Sequence, residues 1–581
     1  MKLRLFAALC LGVFCATAAP GQAAPRSTIR VGLWTLWHDK EATVTPVAGA
    51  ALRLCDTCRA LPLGSLSVRA KNAGLIWTDS NEHTHSSAEL MLTGSYKIAA
   101  HGESLTLAYP LRVTAHSGTL VLAATLPVER YVELAVAAES GAADSPESRK
   151  ALAVVARSFA LAPTHGHTAF DVCDSTHCQW VHWRTTPEAH AAALTTAGES
   201  LWHNGNRAEA FFHQNCGGRT AAASEVWPGR GASGRAARDP LISRVDPYCQ
   251  RIGSNEWSVT LSRAELTRAL VAEGLAAPGW TSLTVAQRGE SGRATVILAG
   301  ATEIPAEKFR LALGRALGWN LIRSNWFEIA AQGDSFLFHG RGSGHGVGLC
   351  QAGAAEMARE GRSYREILTQ YFPGATVAEE TTGAVWRNLP AQGFTLETSE
   401  SVDASYLPAL ARALSEAESR SGLAPGAVIA VRTYRSTPAF RDATLAPGFV
   451  AALTEGNLIA VQPLHTLAAR KLLEGTLLHE FLHALVEENA NTRTPLWLRE
   501  GLVEAWSCSV RPGDVRRGQR PALTTESIND KLAHATNEAE SEAAHRAAGW
   551  YAQQLLDRFG RAQVLEWLRD GVPQSALLTL R

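Results

Sequence analysis

Near residue 127 the hydrophobic period of this chain changes, and that change constrains its fold more than any other feature. Upstream, in "STIRVGLWTLW", "SLTLAYPLRVTAH" and "GTLVLAATLPV", apolar residues alternate in short runs bounded by Gly, Ser and Pro, as in strands with one buried face. Downstream, "VERYVELAVAAES" and "DSPESRKALAVVARSFALA" repeat at helical spacing. In the second stretch Ser145 suits the N-cap, Pro146 the first turn and Glu147 the positive helix end. Ala151, Val154, Val155, Ser158 and Phe159 then line one face. Residues 28–127 are read as β-rich, and a mixed pattern continues to about 373. A composition shift near "EETTGAVWRNLPAQG" marks a boundary, and the rest is mainly helical with strand-like runs such as "GAVIAVRTY" and "GNLIAVQPL". The expected class is α+β multidomain: a signal peptide over 1–23, a β-rich and mixed α/β unit over 28–375, a linker over 376–393, and a mainly helical unit over 394–581.

The 581 residues suit three or four domains or lobes. Lys+Arg and Asp+Glu are 55 each, so the chain lacks the basic surplus of a nucleic-acid binder. The start, "MKLRLFAALCLGVFCATAAPGQAAP", joins Lys2 and Arg4 to an apolar run and then small residues. That is the form of a secretory signal peptide, with cleavage after Ala18 or Ala23. Its apolar run is too short for a membrane anchor, and no later segment is long and apolar enough to span a bilayer. The expected location is secreted or periplasmic, peripheral to the cell envelope. Eight cysteines follow the leader, and in an oxidising compartment their default state is disulfide. Cys55/Cys58, Cys173/Cys178 and Cys216/Cys249 are candidate pairs; spacing alone does not fix connectivity.

Three separated segments carry a resemblance: "ERYVELAVAAES…ALAVVARSFALA", "AFFHQNCGGRTAAASEVWPG" followed by "DPYCQ", and "HGRGSGHGVGLCQAGAAEMAREGRSYREILTQYFPGATV". Together with the "IRVGL" opening they resemble, in the same order, the SpoIID/LytB family of bacterial cell-wall proteins. The resemblance covers about residues 28–375. It implies peptidoglycan glycan strands as the ligand. Some family members are lytic transglycosylases in sporulation, and others are described as enhancers of cell-wall amidases, which would make an amidase a partner. Glu139 ends the apolar helix "VELAVAAE". Burial against apolar surface raises a carboxyl pKa, so that it can donate a proton at neutral pH, as glycosidic cleavage requires. The residues alone leave open an exposed helix-end charge; the resemblance places Glu139 at the family's catalytic glutamate. The family often continues with Met-Pro, whereas Ser140 and Gly141 follow here.

Glycine occupies every second position from Gly340 to Gly348, a spacing that fits neither dinucleotide nor P-loop patterns. By resemblance this loop lines the glycan cleft, with Arg341, His345 and Gln351 as its binding groups. Cys350 stands where the family usually has Ser, and is read as structural. His213, Glu225 and Trp227 either face a sugar or pack. In "HGHTAFDVCDSTHCQW", His165, His167, Cys173, His177 and Cys178 offer zinc-type donors, and a Cys173–Cys178 disulfide competes with that reading.

The C-terminal part holds "RKLLEGTLLHEFLHALVEEN". His479 and His483, four apart, leave one side of a helix, and Glu480 adjoins the first. With the downstream "PLWLREGLVEAW" this resembles the gluzincin peptidases, which implies Zn2+ held by His479, His483 and Glu500, with Glu480 catalytic. Glu504 is then a partner for a ligand histidine. Tyr551, in "HRAAGWYAQQLLDRFG", is either an oxyanion stabiliser or a core aromatic.

Overall fold

The computed structural model describes residues 27–47, 59, 64–142, 144–162, 167–228, 240–253, 255–447, 450–491, 494–507, 521–534 and 538–578. The leader, Cys55, Cys58, His165 and Cys508 lie outside them. Among the described residues the protein is mixed α/β and multidomain, with many separate sheets.

The alternating N-terminal runs form two sheets. A six-stranded sheet includes Glu41–Pro46, Leu66–Lys71 and Tyr96–Ala100. A five-stranded sheet centres on Thr28–Leu33 and Thr119–Pro127, antiparallel in the register Thr28 to Pro127 through Leu33 to Leu122. Ala42, Val44, Leu66, Val68, Tyr96, Ile98, Leu111 and Val113 fill the space between them, as period-two burial requires.

The period change is seen directly. Strand Thr119–Pro127 runs into helix Val128–Glu139, and helix Pro146–Ala160 follows. The Ser145 hydroxyl accepts from the Ser148 N–H, and Pro146 sits in the first turn, so the expected cap forms. Ala151, Val154, Val155, Ser158 and Phe159 are all buried. Ser158 is satisfied there: its hydroxyl donates to the Val154 carbonyl and accepts from the Leu201 N–H. Residues 256–341 contain two three-stranded sheets and two helices around their own core of Trp257, Phe309, Phe327, Phe336 and Phe338.

Within 376–393, strand Thr376–Glu379 pairs with Glu199–His203 upstream, whereas Arg387–Pro390 pairs with Phe394–Thr398 downstream. The C-terminal part is not only helical. Its five-stranded sheet runs Arg387–Pro390, Phe394–Thr398, Ile429–Thr433, Leu458–Val461, Ala452–Glu455. Helices Leu407–Ser421, Leu473–Asn489, Leu496–Ser507 and Glu538–Asp570 contribute to the same apolar core as the sheet.

Polar contacts join the two halves. Arg432, buried on strand Ile429–Thr433, reaches Glu199 at 3.3 Å and Glu397 at 2.6 Å. His190 lies between Glu133 (3.4 Å) and Glu455 (3.1 Å). Those carboxylates raise the His190 pKa to about 10 against some burial. A raised folded-state pKa gives stability that is complete below the unfolded value, about 6.5, and is lost as pH rises through about 10. Because His190 is half exposed, solvent screening holds the effect to about 1 kcal/mol or less. The expected result is that His190→Gln flattens the fall in melting temperature between pH 7 and 10; an unchanged slope would show that the contact contributes nothing.

Candidate functional site

Glu139 is positioned from three directions. Helix Val128–Glu139 brings it up from a buried face of Tyr131, Val132, Leu134, Ala135 and Val136. The Trp180 N–H donates to Glu139 Oε1 at 2.8 Å. Gln351, first residue of helix Gln351–Arg359, donates through Nε2 to the main-chain oxygen of Glu139 at 2.8 Å. Burial raises the Glu139 pKa, and the Trp180 N–H opposes that only partly. A half-buried carboxyl with a raised pKa is chemically able to act as a general acid. Trp180 is 46% exposed and its ring lies edge-on to His182. Neither ring was singled out from sequence; Trp180 stands two residues beyond Cys178, and only the fold brings its main-chain N–H to Glu139.

The segment below Trp180 holds the Cys/His cluster. His167, Cys173, His177 and Cys178 place one donor atom each within 4.8 Å of all the others. His167 Nε2 is 3.3 Å from the Cys178 sulfur, and His177 Nδ1 is 3.7 Å from both sulfurs. The expected Cys173–Cys178 disulfide is absent: both are free thiols, as are Cys216, Cys249 and Cys350. Hydrogen bonds from Cys178, His177 and Ser175 favour the Cys173 thiolate. The physical reason is convergence, since two imidazoles are folded onto the two sulfurs. The four donors match the ligand types and compactness of a tetrahedral zinc site.

The glycine loop needs its glycines. Gly342, Gly344, Gly346 and Gly348 all have positive φ, and a Cβ on Gly348 would meet the Phe211 carbonyl oxygen at 2.2 Å. The three expected binding groups diverge. Gln351 meets Glu139. His345 accepts the Val347 N–H on Nδ1 and packs 5.0 Å from the Trp227 ring. Arg341 is exposed, with its guanidinium 3.8 Å over Trp326. His213 and Glu225 are internal contacts: His213 is buried with Nδ1 on the Val347 carbonyl, and Glu225 accepts from the Ser291 hydroxyl and N–H.

In the C-terminal part, helix Leu473–Asn489 brings His479 and His483 to 3.0 Å between their Nε2 atoms, and helix Leu496–Ser507 places Glu500 3.7 Å from His483. This trio is more open than the Cys/His set and is not among the groups whose donors all fall within 4.8 Å. Glu480 is buried, which raises its pKa, and accepts from the Thr454 hydroxyl at 2.7 Å. Burial would also raise Glu500, but His545, 3.4 Å away, and the two motif histidines pull it down to about 2. His545 itself is lifted by Glu500 to about 9 despite burial. Sequence reading missed His545, 45 positions beyond Glu500, although it opens the "HRAAGWYAQQLLDRFG" stretch quoted for Tyr551. Glu504, expected beside a ligand histidine, adds its charge to His545. Tyr551 is buried, donates to the Leu523 carbonyl and packs against Trp497, the core-aromatic alternative.

The arrangement is that of a multidomain α+β protein with a half-buried carboxyl at the end of a helix upstream and a histidine–carboxylate centre downstream. Residues 116–203 match the SpoIID family, described as stage II sporulation protein. Stage II sporulation protein D of Bacillus subtilis is 27% identical over 306 residues, 49% of this chain and 84% of that protein. An uncharacterized protein of Brachyspira hyodysenteriae is 29% identical over 259 residues, 44% of this chain and 67% of its own. The amidase enhancer of Bacillus subtilis is 24% identical over 291 residues, 41% of this chain and 39% of that protein. These matches support the SpoIID/LytB family for the upstream part of the chain. Among the described residues no helix is long and apolar enough to cross a membrane.

Proposed function

We propose that the protein is an exported, envelope-associated peptidoglycan-remodelling protein whose upstream domain, near residues 28–375, cleaves glycan strands as a lytic transglycosylase. The observation that carries this reading is the Glu139 carboxyl, which burial gives a raised pKa and which accepts from the Trp180 main-chain N–H, while Gln351 holds the Glu139 main-chain oxygen. In this reaction Glu139 gives its proton to the leaving glycosidic oxygen as the bond to the anomeric carbon breaks. The same sugar's C6 hydroxyl closes onto that carbon and returns its proton to Glu139. No second carboxylate is needed. The test is incubation of purified protein with glycan strands: anhydro-sugar ends are expected from wild type and not from Glu139→Gln. Intact glycan with stimulation of a wall amidase would replace this reading by that of a non-catalytic enhancer, which the name of the second Bacillus relative favours.

The downstream domain, near residues 394–581, is proposed to be a zincin-like peptidase with zinc on His479, His483 and Glu500. Two imidazole nitrogens and an ionised carboxylate converging beside a buried glutamate fit that donor set. Zinc there supplies Lewis acidity toward a peptide carbonyl. Glu480 is the residue placed to move a proton, and Thr454 fixes its carboxyl. A second zinc is assigned to His167, Cys173, His177 and Cys178, where it would brace the turn that presents Trp180. Metal per chain is the discriminating measurement. His479→Ala and Cys178→Ser are each expected to lose one equivalent, and Glu480→Gln to keep its metal but lose chelator-sensitive peptide cleavage. Unchanged metal content in either ligand variant would sink that site.

A further inference from the structure

Among the described residues, the three cysteines outside the Cys173/Cys178 cluster meet one another. Cys216, from "NCGGRT", Cys249, from "DPYC", and Cys350, from "GLCQ", gather with Asp246, and one donor atom from each lies within 4.8 Å of the rest. All four residues are buried, at 1% exposure or less. None of the thiols is in a disulfide, and the pairing of Cys216 with Cys249 expected from sequence is thereby corrected. Three thiols also cannot all be satisfied by disulfides among themselves. We infer that Cys216, Asp246, Cys249 and Cys350 form a closed structural site for one tetrahedral divalent cation of the zinc class.

The distances suit a single ion. Bonds of about 2.3 Å to sulfur and about 2.0–2.2 Å to a carboxylate oxygen separate tetrahedral donors by roughly 3.5–3.8 Å. The Cys216 sulfur is 3.2 Å from Asp246 Oδ2, and the whole set falls inside 4.8 Å. The surroundings are already those of a ligand set. Tyr371 donates its hydroxyl to Asp246 Oδ2 at 2.8 Å, and the Tyr248 and Cys249 N–H groups hold Oδ1. The Cys350 sulfur caps helix Gln351–Arg359, accepting from the Gly353 N–H at 3.4 Å and the Cys216 N–H at 3.2 Å. Such outer hydrogen bonds orient ligands and stabilise thiolate. Arg293, 1% exposed, donates to the carbonyls of Cys216 and Arg219, so a full positive charge is buried beside the set. Three thiolates and one carboxylate carry four negative charges; a divalent ion and Arg293 together offset three of them.

With all four positions taken by protein, the ion would do no chemistry. It would tie three distant segments together at the residue before Gln351, whose amide reaches Glu139. The inference does not require Glu139 to be catalytic.

The test uses the full chain loaded with zinc. In a His479→Ala/Cys178→Ser background, which disables the two other assigned sites, one equivalent of zinc is expected to remain. Adding Cys249→Ser or Cys350→Ser is expected to remove it. In wild-type protein denatured with chelator but without reductant, a thiol-alkylating reagent is expected to label Cys216, Cys249 and Cys350, none of which reacts in the native protein. A disulfide-linked Cys216–Cys249 peptide overturns the inference even if the variants fail to fold. So does a background protein free of zinc, or one whose zinc survives both added substitutions.

Discussion

Glu139→Gln is expected to slow glycan cleavage by about 10²–10⁴-fold, the range for loss of a general acid, with little change in glycan binding or melting temperature. Gln keeps the size and the acceptor for the Trp180 N–H, so the contacts positioning the residue survive and only the proton is lost. The pH profile is the sharper reading. Burial raises the Glu139 pKa, so the falling limb of the rate should lie at higher pH than for an ordinary exposed carboxyl. A variant within about threefold of wild type, less than 1 kcal/mol in barrier, would remove Glu139 from the mechanism. A large loss accompanied by a large fall in melting temperature would make it a structural residue instead.

Arg432→Met is expected to destabilise the junction between the two halves by ~3–5 kcal/mol, the cost of breaking a buried ion pair from one side. Arg432 is 2% exposed and bridges Glu199, fully buried upstream, to Glu397 downstream. Removing the guanidinium leaves Glu199 with Arg365 and Tyr364, which sets the loss toward the lower end. A chain of several domains unfolds in more than one step, so calorimetry should show the first transition moving down. Replacing Glu199 by Gln in the same chain should recover part of the loss, because the stranded charge is gone. An unmoved first transition would mean that water replaces Arg432 at no cost.

The secondary structure around Glu139 was legible because it is local. Period-two burial in Glu41–Pro46 and Leu66–Lys71, the Ser145 cap and the apolar face of Pro146–Ala160 all rest on residues a few positions apart. The C-terminal sheet was less visible. Of its parallel central strands, Ile429–Thr433 and Leu458–Val461 were read as strand-like runs, but Phe394–Thr398, whose alternation covers only five residues, was not. Spacing also misled for cysteine: Cys216 and Cys249 looked like two ends of a staple, and Cys350, a hundred residues further on, carried no sign of joining them.

By itself the sequence determined which elements form and which residue types carry chemistry: a glutamate closing an apolar helix, glycines where φ must be positive, two histidines four apart. Those follow from backbone sterics and side-chain period, which act over a few residues. Tertiary structure alone decided the company each group keeps. It set Gln351 against Glu139, His545 against Glu500, and Arg341 over Trp326 rather than at the acid. It also turned five cysteines into two donor clusters. Contacts of that kind join positions up to hundreds of residues apart, and their geometry is fixed by how whole layers pack, which no local pattern encodes.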